Sequence, residues 1–123
     1  MAYLTDRKRA MGLGSAKSGT AHHWSMTVSS VALLILLPLF VFTFGAALGG
    51  TYEEIVAYYS RPFPAIIAAL TILVSFKHFN GGVQTLIEDY VHGLAQKVSI
   101  VAMTCISYGA AAIGIFAIAR LAL

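Results

Sequence analysis

Charge is scarce in this chain. Only 11% of its 123 residues are Asp, Glu, Lys or Arg, against about a quarter in ordinary soluble domains. Such a chain cannot cover itself with a water-facing surface. It has one cysteine, Cys105, which excludes an intrachain disulfide and any thiolate-based zinc or iron–sulfur centre. Lying in an apolar run, Cys105 reads as a small core residue. The formal net charge is only +3, and four of the eight basic residues (Arg7, Lys8, Arg9, Lys17) lie in the N-terminal tail. No basic face remains for nucleic acid. What is abundant is apolar: 59% of residues are hydrophobic and the mean hydropathy is +0.81. These values predict an all-α membrane protein, one domain over residues 1–123.

The polar tail, residues 1–21, holds Gly12, Gly14, Ser15, Ser18 and Gly19, a composition that argues against helix. It is too long a polar lead for a signal peptide, and no small-residue cleavage site follows the first apolar run. Val28 to Leu48 is uncharged, and its 21 residues reach about 31 Å as helix, enough to cross a hydrocarbon core. His22, His23 and Trp24 suit the headgroup layer just before it. Pro38 is expected to kink the span. The span is placed at about 22–49.

Residues 51–63, with Glu53, Glu54, Tyr52, Tyr58 and Tyr59, predict a short surface helix along the membrane. Pro62 and Pro64 then suit the first turn of the next helix. Ala65 to Phe76 is too short to cross alone, so the helix must continue through Lys77, His78 and Gly81-Gly82 to about 88. That places the second span at 64–88, with Lys77 snorkelling or pairing with a partner chain. Val98 to Ala119 is uncharged and gives the third span, 97–121, whose Gly109 and Gly114 permit close packing. The basic tail predicts a cytoplasmic N-terminus. Tyr90 then lies on the tail's side.

An ionisable residue inside a span is a functional candidate. His78 and Tyr90 are twelve residues apart, about 18 Å along a helix. With Tyr90 at the interface, His78 falls near the middle of a core about 30 Å thick. At about 100° per residue, Gly82 lies about 40° from His78 and Gly81 about 60° to the other side. Both lack side chains, which opens a notch beside the imidazole suited to a flat cofactor. Asp89 shares the His78 face, whereas Tyr90 lies about 120° away. The spacing thus suggests a ring site at mid-depth and a polar site near the surface. It is equally compatible with a histidine bonded to a neighbouring helix, a glycine pair serving helix packing, and an interfacial Asp-Tyr anchor.

His78, Gly82 and Asp89-Tyr90 together match the pattern H-x3-G-x6-D-Y. With the Gly12-to-Trp24 segment and the three-span layout, the chain resembles the bacterial hydrophobic membrane anchor family of succinate dehydrogenase (respiratory complex II). The resemblance implies half of a six-helix bundle, completed by a second three-span membrane protein. It implies one haem b shared between the two, with His78 as this chain's axial ligand to the iron and Gly81 and Gly82 beside it. It also implies an iron–sulfur protein and a flavoprotein that oxidises succinate as further partners. This chain itself would then hold no flavin, succinate site or iron–sulfur cluster. Electrons would pass to ubiquinone, linking the tricarboxylic acid cycle to the respiratory chain. Tyr90 matches the tyrosine that hydrogen-bonds a quinone carbonyl, and Asp89 the adjacent acid. The implied location is the bacterial inner membrane.

One departure stands out. Many relatives carry an arginine near the start of the first span, suited to a haem propionate. This chain has Thr27 there, leaving His22, His23 or the second membrane protein as substitutes. Competing readings are the anchor of a quinol:fumarate reductase, a small proton-path protein using His78, Asp89 and Lys77, and a cofactor-free assembly factor.

Overall fold

The computed structural model describes residues 4–15 and 19–123, so Ala16, Lys17 and Ser18 of the expected tail lie outside the described residues. Five helices follow in order: α1 (Asp6–Met11), α2 (Ala21–Ala47), α3 (Tyr52–Tyr59), α4 (Pro62–Tyr90) and α5 (Gly93–Ala122). Three of them, α2, α4 and α5, are long and apolar enough to cross a membrane. The chain is an all-α membrane protein, and no strand occurs among the described residues.

Helix α1 corrects the expectation for the tail. Thr5 caps it, its side chain accepting from the Lys8 amide, with Asp6 in the first turn and Lys8 and Arg9 in the last. That order of charge suits the helix dipole. Gly12, expected to break helix, instead ends a short helix that precedes it, with φ of 51°. Few side chains take that conformation.

Helix α4 is the centre of the fold. It packs against α2 on one side and α5 on the other, and α2 and α5 do not pack on each other. In its most apolar stretch 28% of residues are buried, against none in α2 and 11% in α5. Along the α2–α4 seam, His22 meets Thr85 and Ser29 meets His78, so the two helices run antiparallel. On the other side, Thr104 donates to Asn80 at 3.3 Å, and Ile72 lies 3.3 Å from where a Cβ on Gly114 would sit.

The buried positions are mostly small: Ala65, Ala68 and Thr71 on α4, Ser107 and Ala111 on α5. Small side chains let backbones approach, and that is the packing lipid-embedded helices use, since lipid tails are as apolar as leucine. The large side chains point the other way. Leu34, Ile35, Phe42, Val101, Ile113 and Phe116 are all exposed. Cys105 is exposed as well, contrary to the core role expected of it. The α5 face turned to α4 runs through Thr104, Ser107, Ala111 and Gly114, and Cys105 falls about 140° from the centre of that face.

Helix α2 runs unbroken through Pro38. Two residues, Val91 and His92, join α4 to α5. Gly93 opens α5 with φ of 70°, a conformation that lets the chain reverse this tightly. Gln96 reaches back across the turn and donates to the Glu88 carbonyl at 3.4 Å, covering an acceptor that a helix end leaves open.

At the opposite end, α3 packs on all three long helices and buries Tyr59. Burial pushes the Tyr59 phenol up, and the neighbouring Tyr58 adds to it. A capping box starts α3. The Thr51 amide donates to Glu54 Oε2 at 2.8 Å, and the Glu54 amide donates to Thr51 Oγ1 at 3.4 Å. The hydrogen bond from the Thr51 backbone, then that from its side chain, holds the Glu54 carboxyl below its ordinary value. Because the folded pKa is the lower one, the cap is complete above the ordinary carboxylate range and is lost as pH falls through the folded value. Thr51→Ala is expected to speed amide exchange at Glu54 several-fold. In wild type the Thr51 amide, which donates to the Glu54 carboxylate, should lose protection relative to its intrinsic exchange rate only as that carboxyl protonates, which hydrogen exchange followed by mass spectrometry would read.

Candidate functional site

The site is a seam of two helices. On α2, His22, Met26 and Ser29 recur at helical spacing and face α4. On α4, His78, Gly81 and Thr85 do the same in reverse. His78 is half-buried. Its Nδ1 lies 2.8 Å from Ser29 Oγ, and Ser29 is only 4% exposed. Nε2 of His78 has no hydrogen-bond partner among the described residues. A half-buried imidazole with one nitrogen engaged inside the chain and the other open at its edge is suited to bind a group held between this chain and a neighbour. Among the described residues no three His, Cys, Asp or Glu side chains gather in metal-binding range. A metal at His78 would therefore draw part of its ligand set from outside the described residues.

The two glycines differ. A Cβ on Gly81 would meet Met26 Sδ at 2.5 Å and His22 Cε1 at 3.6 Å. The notch expected at Gly81 is filled from α2, so this glycine serves close helix approach. Gly82 is exposed, and a Cβ there would meet only the Met26 methyl, at 3.9 Å. The space beside His78 is on the Gly82 side.

His22 is placed by Thr85. Thr85 Oγ1 donates to the Gly81 carbonyl and lies 3.2 Å from His22 Nε2, from which it accepts. His23 is exposed on α2. Thr27 turns its hydroxyl back to the His23 carbonyl at 3.0 Å, so it spends its donor inside its own helix.

Asp89 and Tyr90 are the last two residues of α4, and Tyr90 is 77% exposed. The helix is continuous from His78 to Tyr90, which sets them about 18 Å apart along the axis. The structure thus brings His22, Gly81 and His78 together along one seam and holds Asp89 and Tyr90 apart from it. A crevice of about 400 Å³ at the far end of the molecule, lined by Ala47, Gly50, Glu54, Tyr58 and Arg61, contains none of these residues.

The family model described as the succinate dehydrogenase/fumarate reductase transmembrane subunit matches residues 1–119. The chain belongs to that family. The succinate dehydrogenase hydrophobic membrane anchor subunit of Paracoccus denitrificans is 45% identical over 123 residues, covering all of this chain and 95% of that one. The corresponding anchor of Rickettsia conorii is 29% identical over 103 residues, 80% of this chain and 81% of its own. That of Rickettsia bellii is 32% identical over 84 residues, 68% and 66% respectively. No solved structure matches the chain. As a member of this transmembrane family, the chain presents α2 and α5 with most of their apolar perimeter uncovered, the surface expected of a protein that meets lipid and other chains.

Two of the seam residues, Ser29 and Met26, belong to no motif that the sequence displays. Their signal is present as spacing: His22, Met26 and Ser29 stand at i, i+4 and i+7 on one helical face. Which face of α4 they meet is a tertiary fact.

Proposed function

We propose that this chain is the hydrophobic membrane anchor of a bacterial succinate:ubiquinone oxidoreductase, seated in the inner membrane with its N-terminus cytoplasmic. The observation that carries the reading is the His78 imidazole, fixed at Nδ1 by a buried hydroxyl and open at Nε2 on the edge of the three-helix unit. In this reading His78 Nε2 would hold the iron of a haem b shared with a second membrane protein, and Gly82 leaves room beside it. The haem supplies a one-electron redox group within the bundle. His23, exposed on α2, is the candidate for a propionate contact from this chain, since the His22 ring already holds Thr85 and Thr27 is turned inward.

Asp89 and Tyr90 are proposed to help form the ubiquinone-reduction site. Quinone reduction gathers negative charge on a carbonyl oxygen and then requires protons. A phenolic hydroxyl donating to that oxygen orients it and stabilises the charge as it develops. A neighbouring carboxyl at the membrane surface can relay protons from water. Both residues stand at an exposed helix end rather than in the apolar span, where water can supply them. The partners in this reading are the second three-span membrane protein, an iron–sulfur protein and a succinate-oxidising flavoprotein. The names of the relatives favour the succinate-oxidising direction over fumarate reduction.

Purification through a tag on this chain tests the reading. A flavoprotein, an iron–sulfur protein, a second membrane protein and a reduced haem b spectrum are expected in the same fraction. A chain that purifies intact without flavin overturns the proposal.

A further inference from the structure

Ser29 Oγ has three polar neighbours: the Ser25 carbonyl at 2.9 Å, the Met26 carbonyl at 2.9 Å and His78 Nδ1 at 2.8 Å. A serine hydroxyl has one proton to give and two lone pairs to receive with. The two carbonyls can only accept. If the proton goes to them, shared between the pair, then Nδ1 must be the donor, and all three contacts are hydrogen bonds. If the proton went instead to Nδ1, the hydroxyl oxygen would face two carbonyl oxygens at 2.9 Å with nothing between them. Ser29 is 4% exposed, too buried for bulk water to separate these oxygens, so the lone pairs would meet head-on and the hydroxyl oxygen would receive no hydrogen bond.

From this count we propose that Ser29 is a positioning residue that holds His78 as the Nδ1–H tautomer and thereby leaves the Nε2 lone pair for the haem iron. The inference rests on the reading of His78 given above. Residues that fix the second nitrogen of a metal-bound imidazole also raise its basicity. A more basic imidazole favours ferric over ferrous iron, so Ser29 holds the haem potential down. The tie is made from the neighbouring helix, so the α2–α4 packing itself sets the tautomer.

The test uses the purified complex bearing Ser29→Ala, Ser29→Thr or His78→Ala, compared at equal flavin content by haem content and by redox titration of haem b. Ser29→Ala is expected to weaken haem retention about 10- to 100-fold and to raise the midpoint potential. A tenfold loss of ferric relative to ferrous affinity corresponds to about 59 mV for a one-electron couple. Ser29→Thr keeps a hydroxyl able to bond back to the preceding turn and should restore the wild-type potential. An unchanged potential in Ser29→Ala, with haem lost in His78→Ala, overturns the role of Ser29 and leaves His78 as ligand. Haem retained with an unchanged spectrum in His78→Ala overturns the ligand assignment itself. Should Ser29→Ala fail to accumulate, Ser29→Cys, whose thiol is a weak acceptor, decides on the same readout. A raised potential supports the proposal and an unchanged one overturns it.

Discussion

Replacing His78 by alanine is expected to strip haem b from the purified complex. An axial ligand contributes more than the residues that support it, and losing a supporting contact alone costs about 10- to 100-fold in affinity. The loss should therefore exceed about 100-fold. The surroundings make this a clean substitution. His78 is only half-buried, so alanine leaves no sealed cavity. Ser29 keeps its bonds to the Ser25 and Met26 carbonyls, so no polar group is orphaned on α2. The α2–α4 seam retains the Met26–Gly81 approach and the His22–Thr85 bond. Flavin should still co-purify with the chain while the reduced haem spectrum disappears. A full complement of haem with wild-type absorbance would show that the iron takes its ligand elsewhere.

The second large effect is expected at Tyr90. Tyr90→Phe removes one hydroxyl from a residue 77% exposed at the end of α4, where it supports no packing. Folding should be unaffected. A hydrogen bond to a group acquiring charge is worth about 1.5–3 kcal/mol, so ubiquinone reduction by succinate is expected to fall about 10- to 150-fold. Succinate oxidation with an artificial acceptor, which bypasses the quinone, should stay near wild type. Equal losses in the two assays would remove Tyr90 from the quinone site. The contrast between variants matters as well: His78→Ala acts on haem content, and Tyr90→Phe should leave it alone.

The three long helices are legible in the sequence because bilayer thickness is a strict constraint. Val28–Leu48 and Val98–Ala119 announce themselves by lack of charge. The continuation of the second helix through Lys77 and His78 follows from Ala65–Phe76 being too short to cross. The same constraint says nothing about which faces meet. Gly81 looks like an open notch because, along its own helix, it has no side chain. Met26 fills that space, and Met26 belongs to another helix fifty-five positions earlier. Ser29 is silent for the same reason. Its hydroxyl gains meaning only where His78 faces it. Cys105 is misplaced by its neighbours in sequence because a helix apolar all round gives no clue to its packed side. In the tail, glycine marks where a helix stops, while the turn before it, capped by Thr5, leaves little trace in composition.

The two-residue junction at Val91 and His92 has a consequence for how this chain can vary in length. Tyr90 ends one helix, Gly93 begins the next, and Gln96 ties the turn to the Glu88 carbonyl. A single inserted residue there would lengthen the turn and break the Gln96 tie, shifting α5 against α4 and moving Thr104 off Asn80 and Gly114 off Ile72. The stretch from Leu48 to Thr51 is under no such tie to the membrane seam. Insertions and deletions that the fold survives should therefore fall at that end or in the tail, and the Tyr90 corner should keep its length whatever residues occupy it.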